Sequence, residues 1–210
     1  MMADYGFAVR NSAGRLWMSP DVTPMNFIEK LTFTATGGIV NTMVTSVPRD
    51  VPITFFVKYS SKYSFDVEEV NGASTRTYLL RAFHSATVTV TMYVFATMVP
   101  RLSKYGLNIY NKMGALVYSA QMRPLEINQY TVTGNLHAYD IDMGEPIAVM
   151  PMYTSFFYTL NSPTYLLHMM WSGATGNRAY SDQARLANSG GPIVQFIQDG
   201  FFYIKTSKYD

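Results

Sequence analysis

The chain has 210 residues, 48% hydrophobic and 14% charged, so it holds ample material for a core and too little charge for a long disordered tail. The net charge is +2 and the Lys and Arg residues are scattered with no run of three, so direct nucleic-acid binding is not expected. The absence of cysteine excludes disulfides, thiolate metal sites and cysteine nucleophiles, and it suits folding in a reducing cytosol.

The start, Met1 to Tyr5, carries neither a basic segment nor an apolar signal core, and no apolar stretch reaches the roughly 18 residues of a spanning helix. The stretch Tyr5 to Ser19 then sets the organisation of the chain. Phe7 and Val9 alternate with Ala8 and Arg10, Asn11-x-x-Gly14 follows, and Leu16-Trp17-Met18 resumes a short apolar run. The period of two predicts strands with one buried face, and Asn and Gly at those positions predict the turn between them. The same pattern returns one hundred residues later, from Tyr105 to Ser119: Tyr, Gly, Asn, Gly, Leu and Ser recur, Ile109 answers Val9, and Pro24 and Pro124 extend the register.

Between the two copies the chain reads as further strands. Phe27 to Thr34 partly alternates, Gly37-Gly38 turns, Ile39 to Ser46 is a short strand, and Pro52 opens a strand from Ile53 to Tyr59. Asn71-Gly72 is a two-residue turn signal. Arg76 to Phe83 and Ala86 to Val99 follow, the latter with Thr and Val alternating from Thr87 to Val90 before it becomes apolar. Pro100 to Lys104 reads as a junction. After the second hairpin come strands near Leu125 to Thr133, Leu136 to Ile141, Met152 to Leu160 and Thr164 to Trp171. Ser181 to Asn188 is the best helix candidate, closed by Ser189-Gly190-Gly191. Ile193 to Ile197 and Phe201 to Lys205 read as a terminal hairpin around Asp199-Gly200. Strands at this spacing predict an all-β fold of two tandem β-sandwich-like domains, residues 3–101 and 105–210, related by internal duplication.

The residues that could carry chemistry form no recognised pattern. His84, His137 and His168 stand without a nucleophile elbow, so no catalytic triad is expected. In His137-Ala-Tyr-Asp140-Ile-Asp142 with Glu145, a strand would point the imidazole and the two aspartates to opposite faces, which does not converge on a metal ion. Glu68 and Glu69 are adjacent and would point apart, and a glycosidase pair drawn from Asp66, Asp140 or Glu145 would need a cleft that the sequence does not mark. Gly173-x-x-Gly176 and Gly190-Gly191 lack the Lys-Ser/Thr of a phosphate loop. No cofactor is expected. The aromatics Trp17, Trp171, Tyr153, Phe156 and Tyr158 are candidate anchors for a partner or a sugar ring, against a core role for each.

The phrase Tyr-Gly-hydrophobic-x-hydrophobic-x-Asn-x-x-Gly-x-Leu-x-x-Ser, at residues 5–19 and 105–119, resembles the opening of small tail proteins of tailed bacteriophages. The resemblance implies a non-enzymatic virion component of the distal tail (tail tip, baseplate or fibre attachment), made in the host cytoplasm, that contacts other tail proteins as a homo-oligomer or in multiple copies per particle. It carries over no catalytic residue. A receptor- or glycan-binding module of the tail and a capsid decoration protein are the alternatives; a polysaccharide-degrading enzyme would need two close carboxylates.

Overall fold

Alternation of side chains governs how the strands form layers. In Val40–Pro48 the side chains of Met43, Thr45 and Val47 are buried while Val40, Thr42, Val44 and Ser46 face solvent, the period expected of a strand with one covered face. The computed structural model describes residues 9–10, 12–14, 16–18, 23–71, 73–82, 86–100, 105–134, 137–161, 164–189 and 196–210.

In chain order the strands are β1 (Val9–Arg10), β2 (Leu16–Met18), β3 (Asn26–Thr36), β4 (Val40–Pro48), β5 (Ile53–Tyr59), β6 (Phe65–Glu69), β7 (Thr75–Ala82), β8 (Thr87–Ala96) and β9 (Asn108–Tyr110). They continue with β10 (Leu116–Ser119), β11 (Asn128–Thr131), β12 (Asp140–Asp142), β13 (Ile147–Val149), β14 (Tyr153–Asn161), β15 (Thr164–Thr175), β16 (Arg178–Ser189), β17 (Phe196–Ile197) and β18 (Gly200–Lys205), followed by a single 3₁₀ turn, Thr206–Lys208. The fold is all-β. A six-stranded sheet, β11-β18-β13-β5-β8-β3, lies beside a five-stranded sheet, β12-β16-β15-β14-β17, and a three-stranded sheet, β4-β7-β6. The pairs β1–β2 and β9–β10 stand as separate hairpins.

The six-stranded sheet carries core on both faces. One face presents Val57, Tyr59, Val90, Met92, Val94, Ile147, Val149 and Phe201, which pack with Met43, Tyr78 and Leu80 of the three-stranded sheet and with Ala174, Ala179 and Tyr180 of the five-stranded sheet. The other face buries Phe56, Tyr93, Phe95, Ala148 and Ile204 beneath Tyr209. This stacking of sheets through apolar inner faces is sandwich-like.

The two sequence repeats fold alike. Arg10 pairs with Leu16 and Val9 with Met18; Tyr110 pairs with Leu116 and Ile109 with Tyr118, with the register shift at the same step. Gly14 and Gly114 take φ of 74° and 78°, the left-handed conformation the turn requires. Beyond the hairpins the halves diverge: β3 has eleven residues and β11, at the corresponding place, has four.

Three expectations are corrected. The division at 3–101 and 105–210 does not separate two cores, because the six-stranded sheet takes β3, β5 and β8 from the first half and β11, β13 and β18 from the second. Val149 of β13 pairs directly with Val57 of β5. The segment Ser181 to Asn188 is strand, not helix: pairing with β15 along its length outweighs the helix propensity of Gln, Ala, Arg and Leu. Among the described residues the terminal hairpin does not form either, since β17 pairs with β14, while β18 pairs with β11 and β13; residues 193–195 lie outside them.

Candidate interaction surface

Strands β14, β15 and β16 run past the edge of the core. The β14–β15 ladder continues from Ser155↔Met170 to Asn161↔Thr164, and β16 follows β15 out to Ser189↔Tyr165. At about 3.3 Å per residue the extension reaches roughly 20 Å. Among the described side chains from Phe156 to Met170 none belongs to either hydrophobic cluster. The extension is an arm held by its own ladder, by β17 at Ser155 and Phe156, and by His137 at its base.

Register sorts the arm's side chains by face. Directly paired residues share a face, so Phe156 with Met169, Tyr158 with Leu167 and Leu160 with Tyr165 make one apolar surface. Leu160 is 68% exposed, and Phe156, Tyr158, Tyr165, Leu167 and Met169 are half-buried. The Tyr158 and Tyr165 rings meet edge to face at 5.3 Å. The opposite face is more polar. His168 stacks on Phe157 at 4.8 Å, its Nε2 lies 2.9 Å from the Thr159 hydroxyl, and its Nδ1 lies 3.2 Å from Gln183 Oε1. His137 also meets the Phe157 ring, tilted at 4.6 Å, and bonds the Ser155 hydroxyl at 3.1 Å. The imidazoles thus bind the arm's polar face together.

The aromatic candidates divide between the arm and its base. Phe156 and Tyr158 lie on the apolar face. Trp171 is only 5% exposed and packs edge to face against Tyr153 at 4.4 Å, where the arm leaves the core. It is a core residue and not an exposed anchor. Tyr153 is half-buried beside it, and its hydroxyl points to Asp66 at 3.5 Å. The backbone of Trp17 lies in β2, and its side chain falls outside the described residues, as does His84.

The acidic residues weighed from the sequence are each engaged. Glu68 pairs with Arg81 and Glu69 with Arg76, on opposite sides of β6. Asp140 meets Lys62 and Arg178, both at 2.6 Å. The Lys62 hydrogen bond outweighs partial burial and, with Arg178, holds the Asp140 carboxyl below the usual range. Asp142 accepts from the Gly144 amide and the Asn177 side chain, and Glu145 pairs with Lys205. Among the described residues no group of three or more His, Asp or Glu side chains is placed to hold a metal ion. No helix among them is long and apolar enough to cross a membrane.

Leu160, Tyr165, Leu167 and Met169 were not singled out from the sequence, yet a signal was present. From Pro146 to Asn177 the chain has no Asp, Glu, Lys or Arg. A β14–β15 hairpin without charge is unusual on a surface, because exposed strands normally carry polar residues on their open face.

Comparison with known proteins gives one relationship. A family model described as a family of unknown function (DUF6453) matches residues 2–175. No curated protein and no solved structure matches the chain.

Proposed function

The chain belongs to the DUF6453 family, and we propose that it is a non-enzymatic structural component of a bacteriophage virion, at the distal tail, that acts by protein–protein contact. The observation that carries this reading is the apolar face of the β14–β15 ladder formed by Phe156, Tyr158, Leu160, Tyr165, Leu167 and Met169, with Arg185 of β16 opposite Met169 at its margin. A contiguous, partly exposed apolar surface of this kind suits a partner that covers it, and aromatic residues dominate such contacts. The repeated Tyr-Gly hairpin motif supplies the link to phage tail proteins, and the acids held in ion pairs fit a scaffold better than a hydrolytic cleft.

The test is quantitative mass spectrometry of purified particles from the phage that encodes the chain. The expected result is the chain at stoichiometric copy number, with Leu167→Lys folded but lost from the particle. A chain missing from purified virions removes the reading. A chain that is present, and whose Leu167→Lys variant still assembles but no longer attaches to cells, moves it to receptor or glycan binding.

A further inference from the structure

We infer that β4 is a self-association edge, on which a second copy of this chain adds its own β4 antiparallel across a two-fold axis at Thr42. The inference is independent of the arm. It starts from the two edges of one small sheet, β4-β7-β6. Strand β6 reads Phe-Asp-Val-Glu-Glu, so two copies brought together along it would set carboxylates against carboxylates. Strand β4 reads Val-Asn-Thr-Met-Val-Thr-Ser-Val-Pro and has no charge along its length. Natural sheets guard their edges with charges, bulges and prolines. One edge of this sheet is guarded by charge along its length; the other carries its bulge and proline only at the far end, between Val44 and Pro48, and is uncharged from Val40 to Val44.

A two-fold contact makes a strict electrostatic demand, since each charge near the axis meets its own like charge on the second copy. An uncharged strand satisfies that demand. Antiparallel pairing centred on Thr42 places Val40 opposite Val44 of the second copy, Val44 opposite its Val40, and the two Thr42 side chains together. Val40 and Val44 are 51% and 58% exposed although both are β-branched and apolar. Both lie on the solvent face of β4, so one register covers all four valines with β-branched cross-strand pairs.

The edge is also held in place. The Asn41 side chain donates to Thr36 O and Ile39 O and accepts from the Thr36 amide, which fixes the β3–β4 turn. At the far end Glu29 Oε1 accepts from the Ser46 amide at 2.6 Å, capping the edge there. Between these points, Thr42 to Val44 border an open groove with Leu31, Thr32 and Phe33 of β3. The neighbouring edge of β3 is less suited to the same contact. Its first residues are bridged by Arg123 to Leu125, and Glu29 and Lys30 lie along it. Pairing through β4 would make one six-stranded sheet, β6-β7-β4-β4-β7-β6, from two chains.

The experiment is sedimentation velocity of the full chain over a wide concentration range, with amide hydrogen exchange on the same samples. The expected result is a monomer–dimer equilibrium with exchange at Val40 to Val44 slowing as concentration rises. Val40→Lys/Val44→Lys should weaken the dimer on the order of 100-fold, because it removes apolar pairs and opposes like charges. Val40→Glu/Val44→Glu should do the same, and mixing the two variants should restore a heterodimer. A wild-type chain that stays monomeric, β4 amides whose exchange ignores concentration, a dimer that tolerates the lysines, or folded variants that fail to pair on mixing would each overturn it. Leu167→Lys on the arm should leave this equilibrium unchanged.

Discussion

Tyr180 is bonded twice to the backbone of Tyr63. Its hydroxyl accepts from the Tyr63 amide and donates to the Tyr63 carbonyl, both at 2.9 Å. The contact ties β16 of the five-stranded sheet to the loop between β5 and β6, and the ring itself is fully buried. Burial holds the phenol well above the usual tyrosine range, so the donor keeps its proton at any working pH. Tyr180→Phe keeps the ring but leaves a buried amide and a buried carbonyl without this partner. The expected loss is about 2–4 kcal/mol, read from urea unfolding with an unchanged slope.

Gly173 makes room for that tyrosine. It pairs directly with Tyr180 across β15 and β16, and a Cβ added at Gly173 would stand 2.4 Å from the Tyr180 Cε2. Gly173→Ala must displace the ring and with it the hydroxyl from Tyr63. A loss of about 2–3 kcal/mol is expected from this overpacking. In the Tyr180→Phe background the same change should cost less, because the two hydrogen bonds are already gone. A double-mutant cycle should give a coupling of about 1 kcal/mol, and strict additivity would show that the ring position and the hydrogen bonds are unrelated.

What could be read in the sequence was local. Ile53 to Tyr59 forms the expected strand, and the alternation from Thr87 onward marks β8 because its side chains pack by that period. Pairing partners were not legible. Nothing in Ile147 to Val149 announces that it sits between β18 and β5, since the choice is made by side chains more than fifty residues away. Gln183 to Leu186 has good helix formers and became strand because β15 offered a long ladder. The arm was half legible: Phe156 and Tyr158 were named as aromatics, while Leu160, Leu167 and Met169 join them only once the register is known. Between the two roles weighed for Trp171, anchor or core, the choice waits on the structure, because exposure cannot be read from residue type.

The Asn-x-x-Gly turn can be tested where it is described. Asn111 Oδ1 accepts from the amides of Met113 and Ala115, both at 2.9 Å, and the Asn111 amide donates to the Ala115 carbonyl at 2.8 Å. Asn111→Ala removes the two side-chain bonds and should loosen the hairpin by about 1–2 kcal/mol. The β9–β10 pair is a separate two-stranded sheet, so the loss should remain local. The expected readout is faster exchange at the Gly114 and Ala115 amides with little change in Tm. A large fall in Tm would mean that the hairpin is part of the cooperative core.

Asp210 fastens the C-terminal turn to the six-stranded sheet. Its carboxylate accepts from Lys30 at 2.8 Å and from the Tyr93 hydroxyl at 2.7 Å, with Lys58 at 3.6 Å, and both ammonium groups lie over the Tyr93 ring. Partial burial raises the carboxyl pKa, but the hydrogen bonds from Lys30 and Tyr93 and the charge of the two lysines outweigh it and bring the value down from 3.8 to about 2. A carboxyl depressed in the folded state adds stability above its unfolded value and loses it as pH falls through the folded one. The stabilisation should therefore be complete above about pH 4 and fade toward pH 2. The side chains of Lys30 and Asp210 are each 40% exposed, so solvent screening reduces the gain to about 1 kcal/mol. Asp210→Asn should be less stable than wild type by that amount at pH 7, and the two unfolding curves should converge as the pH is lowered to 2. Curves that stay apart at pH 2 would assign the contribution of Asp210 to packing and not to its charge.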